Sequence, residues 1–218
     1  MPSVFLYVFH IFDISENFIS EGREEVISAL KKVPANLLLA MDDLSISGIS
    51  YTTLPEEDVA NNAHWDIASK EIIIGESVYL NDYRFSNKKE LSDTEILSAF
   101  LHEYGHFLDT DENSILQKIS NNENFLKVYN EEVEEFMKNS SVLEQENIAY
   151  FTNEKDKDGI EGHRSYQEMT AECIKILYCA DAGPMTSRRS RYLMEHFPRT
   201  IATIGEILDK QLDIYLAD

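Results

Sequence analysis

Residues 95–109 read Glu-Ile-Leu-Ser-Ala-Phe-Leu-His-Glu-Tyr-Gly-His-Phe-Leu-Asp. Positions four apart on an α-helix share a face, so His102 and His106 can present two imidazoles to one metal ion. Glu103 stands where a general base for a hydrolytic water is needed. The H-E-x-x-H pattern carries this meaning only on a helix, and the surrounding residues predict one. Ser92-Asp93-Thr94-Glu95 has the form of a capping box, with Ser92 as N-cap. Leu97, Leu101, Tyr104 and Leu108 recur at helical spacing and predict a core-facing side. His102, His106 and Asp109 fall on another face. Gly105 costs such a helix about 1 kcal/mol relative to alanine. A close approach by another backbone would account for it.

On the N-terminal side the chain reads mainly as strands. Residues 3–12 are apolar and extended in character, and 20–32 form an expected helix ending before Pro34. Residues 35–41 are apolar and fit either state. Residues 46–54 are β-branched and aromatic, and 67–80 read as a strand pair or one bulged strand. On the C-terminal side the expected helices span 125–137, 166–180, 191–197 and 200–216. Residues 139–164 read as polar and irregular. No linker, repeat or low-complexity tract divides the 218 residues. The expected architecture is one α+β domain over 1–218. A small N-terminal lobe, about 1–110, packs its sheet on the H-E-x-x-H helix, and a helical lobe follows over about 111–218.

The formal net charge is -21, from 40 acidic and 19 basic residues. Such a surface repels nucleic-acid phosphates and anionic membranes and favours basic protein partners. Most carboxylates, including Glu131, Glu132, Glu134 and Glu135, read as a solvated helix face. Cys173 and Cys179 are six apart, off one helix face, and read as core thiols rather than a disulfide or ligands. The run Val4-Phe5-Leu6-Tyr7-Val8-Phe9 lacks a basic lead-in and a small-residue cleavage site. It is also too short to span a bilayer. No usual secretion signal and no membrane insertion are therefore expected. Oligomeric state is not legible.

A catalytic zinc site needs a third protein ligand beside the two histidines. Glu112 follows His106 by six residues, but the glycine turn that spacing requires is replaced by Asp109. Glu123 lies within Asn121-Asn122-Glu123-Asn124, and His163 in an expected loop. Glu168 has the best placement. It shares a helix face with Glu172, so one carboxylate can meet a metal while the other supports a ligand histidine.

The stretch from Leu101 to Asp109 resembles the zinc helix of the anthrax lethal factor family, and the clostridial Pro-Pro endopeptidases are similar there. Glu168-Met169-Thr170-Ala171-Glu172 resembles the family's downstream E-x-x-A-E helix. Asn124 to Tyr129 and Phe197 to Ile207 resemble the helices around it. The resemblance covers about residues 95–210. It implies a zincin-like fold and a gluzincin metallopeptidase that cleaves a protein or peptide substrate, with Zn2+ on His102, His106 and Glu168 and with Glu103 as general base. It also implies a tyrosine that stabilises the oxyanion. The usual spacing falls on Glu161; treating 151–164 as an insertion makes Tyr150 the counterpart, with Tyr166 as rival. Asp109 matches a family aspartate that supports the site. An extended substrate is expected beside Ile72-Ile73-Ile74.

The named relatives are secreted bacterial proteins, several of them toxins. The chain is thus expected to be an effector, made in a bacterial cytoplasm and acting on a host protein in the host cytosol. Two other readings compete. One is a zinc-stabilised binding module with a closed four-ligand site. The other is a catalytically inactive zincin-like scaffold whose inserted loop occludes the cleft.

Overall fold

A computed structural model of the chain describes residues 48–52, 63–66, 71–75, 77–82, 85–90, 93–109, 117–152, 164–179 and 188–217. The segments expected over 3–12, 20–32 and 35–41 lie outside these residues, as do Ser92, Glu112, Glu161 and His163. The chain divides into two compact units, with the boundary after Tyr104.

In the first unit the described strands are β1 (Gly48–Thr52), β2 (Ala63–Asp66), β3 (Glu71–Gly75), β4 (Ser77–Asp82) and β5 (Phe85–Glu90). β3 pairs parallel with β1 and antiparallel with β2. β4 and β5 form a separate antiparallel ladder, from Ser77 opposite Glu90 to Asp82 opposite Phe85. The apolar stretch expected as a strand pair or one bulged strand holds two strands, β3 and β4, but they belong to different sheets and do not pair with each other.

The expected α+β class, with an N-terminal sheet lobe on the active-site helix, does not hold. The part of the chain that defines its architecture is 91% helical, with no strand or sheet in it. The physical reason is that β-branched runs specify local pairing, while a lobe needs a packed face shared by several strands. The upstream ladders are four to six residues long.

The helices are α1 (Asp93–Leu108), α2 (Glu123–Asn139), α3 (Val142–Thr152), α4 (Arg164–Cys179), α5 (Arg188–His196) and α6 (Pro198–Ala217), with a 3-10 turn at Ile119–Asn121 before α2. No helix among the described residues is long and apolar enough to cross a membrane. On α1, Leu97, Leu101, Tyr104 and Leu108 are all fully buried, as their spacing requires. Phe100 stacks on Tyr104 at a centroid distance of 5.8 Å.

Polar side chains set where the later helices begin. Asn122 caps α2, its side-chain oxygen accepting from Asn124 N at 3.0 Å and Phe125 N at 3.3 Å. Ser141 and Glu144 form a reciprocal capping box for α3. Glu144 Oε2 accepts from Ser141 N at 2.7 Å, and Ser141 Oγ accepts from Glu144 N at 3.4 Å. This overturns the reading of 139–164 as irregular throughout. The S-x-x-E signature was present at Ser141-Val142-Leu143-Glu144, and it starts a helix here as it does elsewhere.

Helix α4 is the hub of the second unit and packs on α3, α5 and α6. It buries Met169, Ala171, Cys173, Ile174 and Ile176, and both cysteines are free thiols. Phe125, Tyr129 and Phe136 form the buried stripe of α2, and Phe136 meets Phe197 at 5.7 Å. Tyr129 OH donates to the Phe151 carbonyl at 2.7 Å, which ties α2 to the end of α3. Ile201, Ile204, Leu208 and Leu212 give α6 its core face.

Glu132 departs from the solvated face expected of it. It is 4% exposed and receives the backbone N–H groups of Arg199 at 3.0 Å and Thr200 at 2.8 Å. These are orphan amides in the first turn of α6, and a carboxylate placed there answers both their hydrogen bonds and the positive end of the helix dipole.

Candidate metal centre

Helical spacing places His102 and His106 one turn apart on α1. Glu168 stands in the second turn of α4 and is 6% exposed. One ligand atom from each of the three side chains lies within 4.8 Å of the other two. It is the one such group of three or more metal-ligating residues among the described residues. The separation that decides the geometry is His106 Nε2 to Glu168 Oε2, 3.3 Å. Two donors each about 2.0–2.1 Å from a tetrahedral zinc stand about 3.3 Å apart. Two imidazoles and one carboxylate are also a donor set that suits zinc with a position left open.

Glu103 follows the first histidine and is 9% exposed. Of the other candidate ligands, Glu123 is exposed in the first turn of α2 and takes no part in the cluster. Tyr166 lies at the start of α4, where its ring meets Tyr129 edge-on at 5.0 Å and Phe125 at 6.3 Å. Tyr150 lies near the end of α3, 41% exposed, with its ring edge-on to Phe151.

Asp109 closes α1 and is 1% exposed. Its backbone N–H reaches the carbonyls of Gly105 and His106, both at 3.1 Å, and its Oδ1 accepts from Ser120 N at 2.7 Å. Its Oδ2 is buried with no hydrogen-bond partner among the described residues. Burial pushes the Asp109 carboxyl up to about 6 from an ordinary 3.8. The Ser120 N–H hydrogen bond and the charges of Lys118 and His106 oppose that shift only in part.

Glu172, one turn beyond Glu168, is 3% exposed. It accepts a hydrogen bond from Ser190 Oγ on α5 and pairs with Lys175 Nζ at 2.5 Å. Lys175 was readable as a partner three residues on along the same helix face. Ser190 carried no such signal, nor did Ser120, because each reaches its carboxylate across a gap in sequence that no helical period spans.

Compared with known proteins, the sequence matches no family model and no curated protein.

Proposed function

We propose that the chain is a zinc-dependent endopeptidase with His102, His106 and Glu168 as metal ligands. The observation that carries this reading is the convergence of those three side chains from two helices, with the general-base position filled by Glu103. The resemblance of 101–109 and 168–172 to the lethal factor and Pro-Pro endopeptidase helices supports the same reading.

Zinc in this site would polarise the scissile carbonyl and make water a competent nucleophile near neutral pH. Glu103 then takes a proton from the attacking water on its carboxylate and delivers it to the leaving amine. Tyr150 supplies a hydrogen bond to the developing oxyanion. Tyr166 is the weaker choice, because its ring already packs edge-on against Tyr129 and Phe125 in the aromatic cluster. Asp109, anchored by Ser120, fixes the end of the helix that carries both histidines.

The substrate is a protein, and the acidic balance of the chain favours a basic segment of it over nucleic acid or an anionic membrane. The proposed setting is a bacterial effector acting inside a host cell. Detection of the protein in the cytosol of infected cells supports that setting, and strict retention in the bacterium would end it.

Metal analysis of the purified chain tests the central reading. We expect one zinc per chain in the wild type and in Glu103→Gln, and none in Glu168→Ala. Zinc retained in Glu168→Ala would move the third ligand elsewhere and remove the basis for the assignment.

A further inference from the structure

We infer that Gly105 is a positioning residue for this metal centre. Its contact with Ala171 sets the distance at which Glu168 meets the histidines. The inference rests on the metal reading above.

A Cβ built on Gly105 would stand 2.6 Å from Ala171 Cα and 3.2 Å from both its Cβ and its carbonyl oxygen. Cβ atoms essentially never come within 3.0 Å of a backbone carbon. Helix α1 thus touches the backbone of α4 at this point, with no side chain between. The contact lies next to the ligands on both helices. Gly105 precedes His106 by one residue, about 1.5 Å along the axis, and Ala171 follows Glu168 by three, about 4.5 Å. Ala171 is fully buried, so α4 cannot move aside into solvent there.

Replacing Gly105 by alanine requires the helices to part by roughly 1 Å to restore an ordinary carbon–carbon contact. The same displacement would act on the 3.3 Å between His106 Nε2 and Glu168 Oε2. Metal–ligand distances tolerate only about 0.2 Å. The substitution should therefore cost metal affinity far more than it costs the fold. Alanine also recovers about 1 kcal/mol of helix propensity, which offsets part of the packing strain.

Gly205, on α6, provides the matched control. A Cβ there would meet only the Leu177 methyl carbons at 3.4 and 3.5 Å, close to ordinary contact.

The test is titration of the full chain with Co2+ and Zn2+, reading the visible absorption of bound cobalt and the helical circular dichroism together. We expect Gly205→Ala to match the wild type in affinity and spectrum. We expect Gly105→Ala to keep its helical signal, to bind 10-fold or more weakly, and to show an altered cobalt band. If Gly105→Ala does not fold, Ala171→Ser loads the same contact from the other helix and should show the same loss. A folded Gly105→Ala, or failing that a folded Ala171→Ser, with wild-type affinity and spectrum would overturn the positioning role and leave the metal site standing. A wild type that binds neither metal would instead overturn the metal reading, and this inference with it.

Discussion

The carboxylate of Glu132 on α2 accepts the backbone N–H of Thr200 at 2.8 Å, joining residues 68 apart in sequence. A second bond, from Arg199 N, makes Glu132 a cap for α6 supplied by another helix. Glu132→Ala leaves two amides in the first turn of α6 without their acceptor. We expect a loss of about 2–4 kcal/mol in urea unfolding. Neighbouring Glu131 is half-exposed and pairs with the exposed Arg199 side chain, so Glu131→Ala should be close to neutral. Equal effects from the two would reject the cap.

Asp109 should make stability fall as pH rises through the mildly acidic range. Its carboxyl is pushed up to about 6 in the folded chain, against an ordinary 3.8. Between those values the folded state holds the proton more tightly than the unfolded state, so raising the pH costs stability. The full cost, reached above pH 6, is about 3 kcal/mol. Asp109→Asn keeps the acceptor for Ser120 N and carries no charge. Urea midpoints at pH 4.5 and 7.5 should differ less in that variant than in wild type. An unchanged difference would assign the pH dependence to other groups.

Zinc should stabilise the folded chain through the three ligands. At 100 times its dissociation constant a ligand that binds only the native state contributes about 2.7 kcal/mol. Thermal unfolding with and without added zinc should show this shift in the wild type. His102→Ala, His106→Ala and Glu168→Ala should each abolish it.

Glu103 and Tyr150 should separate by kinetics from the ligands. Glu103→Gln is expected to lower kcat by at least 10²-fold while retaining zinc. Tyr150→Phe should lower kcat by 10²–10³-fold with KM little changed, and Tyr166→Phe should act mainly on stability. If Tyr166→Phe lost the activity instead, the oxyanion role would pass to Tyr166.

The H-E-x-x-H helix was legible in the sequence, because its information is periodic. Histidines four apart and leucines on the opposite face state the helix and its orientation together. Glu168 was legible as a candidate from its place on a second helix, although spacing alone left Glu112, Glu123 and His163 beside it. What the sequence hid was long-range. The cap from Glu132 to α6 and the anchor from Ser120 to Asp109 join positions with no shared period, and the charge run suggested solvent for Glu132, which is buried. The strand-rich first half misled in another way. Its β-branched runs do pair, but short ladders do not add up to a lobe. Gly105 was the one local oddity that pointed beyond its own helix, and the Ala171 backbone is what it points to.

Cys173 and Cys179 give the chain an internal clock. Both thiols are buried on α4, the helix that carries Glu168. Burial raises the Cys173 thiol well above its ordinary range, and the carboxylates of Glu172 and Glu132 raise it further. A thiol reagent in solution therefore reacts with Cys173 only as fast as the packing around α4 opens, since the thiolate is the reactive form. The labelling rate reports how often the scaffold behind Glu168 breathes, with no substrate required. Anything that pins Glu168 in place should slow it.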